Sequence, residues 1–116
     1  KSPHPLMSLS TSARAGLTAF SKAISKDVAK NNVTINNLLP ERFDTDRQVF
    51  MTEMIMKNQD VTREEARAQI MATIAANRFG DPKEFGATCA FLCSKHAGFI
   101  SGQNIQLDGG SYDGLI

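Results

Sequence analysis

Only two cysteines, Cys89 and Cys93, occur in 116 residues. That is too few for a disulfide framework, so a reducing, cytoplasmic setting is expected. No charge of one sign dominates: 13 Lys and Arg stand against 12 Asp and Glu, a net charge of +1. No run of like charges occurs either, which removes the electrostatic footprint of a nucleic-acid or membrane-surface partner. Apolar runs are far too short to cross a bilayer, and no signal-peptide pattern follows Lys1. Because the first residue is Lys1 rather than Met, the chain is expected to start inside a longer protein. Internal repeats and low-complexity segments are also lacking. So is any Gly-x-x-x-Gly-x-Gly or Gly-x-Gly-x-x-Gly phosphate-binding fingerprint. Tyrosine occurs once, as Tyr112 near the C-terminus.

What remains is an ordinary globular composition, 41% hydrophobic and 22% charged, with clear periodic segments. Lys1 to Pro5 reads as loop, because Pro3 and Pro5 remove donors and fix their own φ. The isolated His4 reads as a loop histidine. Ala13, Leu17, Phe20, Ile24 and Val28 form an apolar stripe at helical spacing, predicting a helix over Thr11 to Lys30 that Asn31 and Asn32 stop. Val33 to Leu39 is rich in β-branched residues and ends at Pro40, predicting a strand. A short helix carrying Phe50, Met51, Met54 and Ile55 is expected next. Thr62 and Glu65 form a capping-box pattern opening a helix with Ala66, Ile70, Met71 and Ile74 inward. Asp81, Pro82 and Glu84 start another, running to about Ser94. Gln103 to Leu107 alternates as a strand, and Asp108-Gly109-Gly110 turns after it.

A strand, helices and a strand over this length favour a parallel pair with a right-handed crossover. Two parallel strands are too few for a stable sheet, and the first helix needs a strand before it. About half of the domain is therefore expected to lie outside this sequence.

Three stretches together resemble the C-terminal half of the short-chain dehydrogenase/reductases, particularly those similar to 3-oxoacyl-carrier-protein reductases. Ala13-Arg14-Ala15-Gly16-Leu17 looks like the helix after that family's Tyr-x-x-x-Lys motif. Val33 to Pro40, followed by Asp44-Thr45, looks like its Val-Asn-x-x-x-Pro-Gly-x-x-x-Thr strand and loop. Arg78-Phe79-Gly80-Asp81-Pro82, Phe91-Leu92-Cys93-Ser94, Ser101-Gly102-Gln103 and Leu107-Asp108-Gly109-Gly110 keep the family's spacing over the last third. The resemblance covers nearly the whole chain. It implies an α/β architecture: residues 1–116 as the C-terminal part of a Rossmann-type doubly wound parallel sheet, the dinucleotide-binding half preceding Lys1. Residues 46–77 would be the helices that cover the substrate. It implies NAD or NADP as cofactor and hydride transfer on a small-molecule carbonyl or alcohol. It also implies a homo-oligomer, dimer or tetramer, with the long first helix among its interfaces. The alternative is a catalytically silent relative that binds dinucleotide or a partner subunit.

The family's tyrosine and lysine sit four residues apart on one helix face. The lysine charge brings a phenol of pKa about 10 toward working pH. This register puts Ser10 at the tyrosine position and Arg14 at the lysine position. A serine hydroxyl is a much weaker acid than a phenol, whereas guanidinium keeps the charge and offers several donors for ribose hydroxyls. Three readings stay open: both residues face solvent at a helix start, Arg14 contacts the cofactor, or Ser10 does acid–base work. Pro40 to Thr45 resembles the loop that holds the nicotinamide carboxamide, with Pro40 at its entry, Phe43 offering backbone groups and Thr45 its hydroxyl. Thr45 reads equally as a helix cap. Glu41 stands where glycine is usual and is expected to resist the φ that glycine permits. Met51, Met54, Met56 and Met71 suit helix packing, or else an apolar substrate. Cys89, Cys93 and His96 share a helix face but lack a fourth metal ligand, so buried core cysteines are expected.

Overall fold

A computed structural model of the chain describes residues 7–115; the loop predicted over Lys1 to Pro5, with His4, lies outside them. The helices are α1 (Ser8–Val28), α2 (Asp46–Gln59), α3 (Arg63–Met71) and α4 (Pro82–Leu92). Two strands, β1 (Asn37–Pro40) and β2 (Asn104–Leu107), pair side by side. Asn37 N–H donates to Gln103 O at 2.8 Å and Glu41 N–H to Leu107 O at 3.0 Å. The partner advances in step with the donor, so the pair is parallel. No helix among the described residues is long and apolar enough to cross a membrane.

The chain forms two compact units. One is built from the chain up to Leu39 and from Thr88–Ile105, the other from Pro40–Ala87 and from Gln106 onward.

In the first unit α1 departs from its predicted orientation. Its buried residues are Ser21 and Ser25, while Ala13, Leu17 and Phe20 are exposed, the last two at 61% and 64%. Ile24 and Val28 are half-buried. The reason is the turn at Gly102, whose backbone rests against the serine face. Lys22 Nζ donates to Gly102 O at 2.9 Å, and Ser25 Oγ donates to Lys22 O at 2.8 Å. Small hydroxyls admit that backbone where Leu or Phe would not. No described element of this unit covers the stripe Leu9, Ala13, Leu17 and Phe20. The helix stops as expected: a single 3-10 turn follows and Asn32 takes φ 57°.

The predicted strand from Val33 is shorter than its β-branched content implied, because Val33 to Asn36 make no ladder. They bond to the Ile100–Gln103 turn instead. Gly102 N–H donates to Ile35 O at 2.7 Å, Asn36 Nδ2 to Ile100 O at 2.8 Å, and Gln103 N–H to Asn36 Oδ1 at 3.0 Å. Side-chain amides compete with sheet pairing in this way. Cys89 and Cys93 are free thiols and both are exposed, contrary to the buried placement expected. They line an open cavity of about 690 Å³ with Asn36, Leu38 and Leu92; no described element of the unit packs over that face of α4.

In the second unit α2 and α3 pack together. Ile70, Ile74 and Phe79 form the core, with Met51, Ile55 and Met71 against it. Met51 and Met71 thus serve packing, whereas Met54 is 44% exposed. The capping box of Thr62 and Glu65 is present in both directions. The backbone and side chain of Thr62 together hold the Glu65 carboxyl below its ordinary range. Gln48 is 5% exposed and its Oε1 has no hydrogen-bond partner among the described residues. An orphaned buried carbonyl costs about 1–3 kcal/mol. Gln48→Met, nearly isosteric and without polar atoms to satisfy, is expected to stabilise the fold by about 1 kcal/mol. A urea midpoint that falls in this variant would show that the amide is satisfied.

Candidate functional site

The loop from Pro40 to Thr45 is held by a tight set of contacts within the second unit. Glu41 continues the parallel ladder through its N–H, so the left-handed turn falls on Arg42, at φ 57°. The strain expected at Glu41 is therefore displaced by one residue. Among the described residues the other non-glycine residues with positive φ are Asn32, Asp60 and Asn77, types that adopt this conformation readily. Arg42 is the exception, and its turn redirects the chain toward Gly80. Phe43 and Gly80 then form a parallel bridge. Gly80 N–H donates to Arg42 O at 3.0 Å, and Asp44 N–H donates to Gly80 O at 2.9 Å. Groups alternate along an extended chain, so the N–H and C=O of Phe43 itself point away from Gly80. A Cβ at Gly80 would lie 2.9 Å from the Phe43 ring, so only glycine admits the ring there. Phe85 closes the other side, edge-on at 6.0 Å between centroids.

Thr45 occupies the N-cap position of α2, yet its side chain accepts no capping bond. Its hydroxyl donates to Phe43 O at 3.3 Å, while its carbonyl accepts from Gln48 and Val49 N–H. The structure therefore brings Pro40, Phe43 and Thr45 onto one braced loop. Ser10 and Arg14 lie one turn apart in the first turns of α1, Ser10 half-buried and Arg14 exposed.

Three residues that brace the loop were not legible as site residues. Arg67 of α3 donates to both carboxylate oxygens of Asp44, at 3.2 and 2.9 Å, and its guanidinium lies 4.5 Å from the Phe79 ring centroid. Phe79 and Gly80 read from the sequence as the break after a helix and as part of the family-like Arg78–Pro82 stretch, not as contacts of this loop.

The start of α4 follows Gly80 directly. Asp81 N–H donates to Glu84 Oε2 at 2.8 Å, the reach-back the sequence predicts, whereas Asp81 Oδ1 accepts from Lys83 N–H at 2.8 Å rather than from Glu84 N–H. Arg78 adds two charge-assisted bonds to Glu84 at 2.8 and 2.7 Å. The Arg78 guanidinium first, then the Asp81 N–H, holds the Glu84 carboxyl down to about 2. The same pairing raises Arg78 above its usual value. A carboxyl depressed on folding stabilises the fold fully above its unfolded value, near 4.5. That stabilisation is lost as pH falls through about 2. Acid titration of unfolding should therefore be shallower for Glu84→Gln than for the natural protein in this window. Identical slopes would show that the pair does not contribute.

A family model described as enoyl-(acyl carrier protein) reductase matches residues 4–112. The chain is 38% identical over 111 residues to the NADPH-dependent reductase BacG of Bacillus subtilis, covering 96% of this chain and 43% of that protein. It is 34% identical over 100 residues to the 3-oxoacyl-[acyl-carrier-protein] reductase FabG of Vibrio cholerae, covering 86% of this chain and 36% of that one. Its fold matches the crystal structure of YwfH, an NADPH-dependent reductase involved in bacilysin biosynthesis. That match has a TM-score of 0.77 at 39% identity, over 87% of this chain and 38% of the other. The chain thus spans less than half the length of the curated relatives it matches, in the part of an α/β fold that carries a small parallel sheet. With the family model matched over residues 4–112 and the family's motif spacing kept from Arg78 to Gly110, the chain belongs to the short-chain dehydrogenase/reductase family.

Proposed function

We propose that the protein is an NAD(P)-dependent oxidoreductase acting on a small-molecule carbonyl or alcohol. The observation that carries this reading is the similarity to NADPH-dependent reductases over nearly the whole chain, supported by the geometry of the Pro40–Thr45 loop. That loop suits a nicotinamide carboxamide. A carboxamide needs both a donor and an acceptor, and Phe43 turns its N–H and C=O away from Gly80. The Thr45 hydroxyl is not used to cap α2. In this reading Phe43 and Thr45 hold the carboxamide, Pro40 sets the loop's entry, and Arg14 hydrogen-bonds the nicotinamide ribose. Ser10 stands at the sequence position of the family's acid. Bound nicotinamide supplies or accepts the hydride; the residues of this chain orient it. Helices within 46–77 cover the substrate. Titration of the intact protein with NADH and with NADPH by calorimetry tests the reading. Saturable binding of either supports it, and binding of neither overturns it.

Serine in place of the phenol favours a second reading, a relative that binds dinucleotide without turnover. NAD(P)H oxidation that vanishes in Arg14→Ala would rule it out.

The exposed stripe Leu9, Ala13, Leu17 and Phe20 on α1 supports self-association through that helix. Replacing Leu17 and Phe20 together by Glu should shift the intact protein to a smaller species in sedimentation. An unchanged profile would remove α1 from the interface. The free thiols of Cys89 and Cys93 suit the cytoplasm, and cell fractionation checks that placement.

A further inference from the structure

We propose that Arg67 is a positioning residue for the nicotinamide: through Asp44 it ties α3, one of the substrate-covering helices, to the loop that holds the carboxamide. The inference rests on the cofactor reading above, and it assigns a role to a residue that the family motifs do not mark.

The geometry is that of a brace anchored in the core. Phe79 is 8% exposed and belongs to the core cluster with Ile70 and Ile74. The Arg67 guanidinium lies 4.5 Å from the centroid of this fixed ring, a cation–π placement that limits how the plane can turn. From there it grips Asp44 with two parallel bonds, at 3.2 and 2.9 Å. Two-point pairing fixes orientation as well as distance. Asp44 is also held through its backbone, by the 2.9 Å bond to Gly80 O. It therefore cannot rotate without moving its neighbours, and those neighbours are Phe43 and Thr45. Asp44 and Arg67 together line a cavity of about 430 Å³ with Met71, Phe79, Gly80 and Pro82. The pair thus links two segments along the wall of a cleft.

The pair is partly open to solvent, with side-chain exposures of 29% for Arg67 and 48% for Asp44. Exposed ion pairs contribute little to global stability. Its effect is expected on the order of the loop instead. Misplacing one contact to the ring changes the ring's alignment more than its affinity, because the rest of a dinucleotide binds elsewhere.

The experiment uses NADPH as probe with the intact protein, reading affinity by calorimetry and ring immobilisation by the fluorescence anisotropy of bound NADPH. In Arg67→Ala the anisotropy should fall by about half toward the free value, while Kd rises less than about threefold. Melting temperature should stay nearly unchanged. Arg67→Lys, which keeps the charge but not the fork, should recover part of the anisotropy. Asp44→Asn should lose as much as Arg67→Ala, and the double variant no more than either alone. Natural anisotropy in Arg67→Ala overturns the inference and leaves the cofactor reading standing. So does a loss that adds in the double variant. A melting temperature and affinity that collapse together in both Arg67 variants overturn it too, by making the pair merely structural. If the natural protein does not bind NADPH or NADH at all, the cofactor reading fails and the positioning role fails with it.

Discussion

Gly102→Ala is expected to destabilise the protein by about 2–5 kcal/mol, from two separable costs. The backbone at Gly102 has φ +68°, a left-handed conformation that costs an L-residue about 1–2 kcal/mol. The added Cβ would also lie 2.7 Å from Ser25 Oγ and 3.0 Å from Lys22 Nζ. The lysine tip can swing aside, giving up its 2.9 Å bond to Gly102 O. Ser25 cannot: it is 4% exposed, its side chain is short, and its hydroxyl is tied to Lys22 O. Relief must come from moving α1 or the turn, and such overpacking costs about 1–3 kcal/mol. A double-mutant cycle separates the terms. In a Ser25→Ala background the Oγ contact is gone, so Gly102→Ala should cost clearly less, the backbone share of about 1–2 kcal/mol together with the displaced Lys22 bond. Urea unfolding measures all four proteins. Equal costs in the two backgrounds would show that Ser25 does not set the approach of the turn.

That close approach also explains where sequence reasoning succeeded and where it stopped. Local signals were legible. Thr62 and Glu65 reach one another over three residues, as do Asp81 and Glu84, so their pairing depends on nothing distant. The same holds for Asn32 at the end of α1 and for Ile70 on α3, whereas Ile74, expected on that helix, reaches the core from the turn after Met71. Periodicity shows which α1 residues are apolar, but not which layer lies against them. A glycine turn selected the Ser21 and Ser25 side, leaving Leu17 and Phe20 outward. Val33 to Asn36 have strand propensity, yet the Asn36 amide pairs with the Ile100–Gln103 turn and takes them out of the ladder. The left-handed turn of the Pro40–Thr45 loop falls on Arg42 because Glu41 keeps its ladder bond. That bond reaches Leu107, far along the chain. Arg67 was illegible as a brace of that loop for the same reason: its partners Asp44 and Phe79 lie outside α3. Pattern in a single element therefore located the loop, but not what braces it.

Arg14→Ala is expected to weaken NAD(P)H binding by about 10- to 100-fold, if Arg14 makes the ribose contacts that its position in the family motif implies. A hydrogen bond from a charged group contributes about 1.5–3 kcal/mol, and each 1.4 kcal/mol is tenfold in affinity. Arg14 is exposed on α1, so little packing is lost on truncation and the melting temperature should hold. Arg14→Lys keeps the charge but loses the planar fork, and should fall between the natural protein and Arg14→Ala. Ser10→Ala provides the contrast. Ser10 is one turn earlier on the same helix and half-buried. A hydroxyl that takes part in proton transfer affects kcat and leaves cofactor Kd alone. Loss of turnover with natural affinity in Ser10→Ala would therefore make this hydroxyl part of the acid–base chemistry. Unchanged turnover would assign the proton to another group. Should Arg14→Ala bind NADH and NADPH as tightly as the natural protein, the exposed guanidinium is an ordinary solvent-facing group and the ribose must be held by other residues.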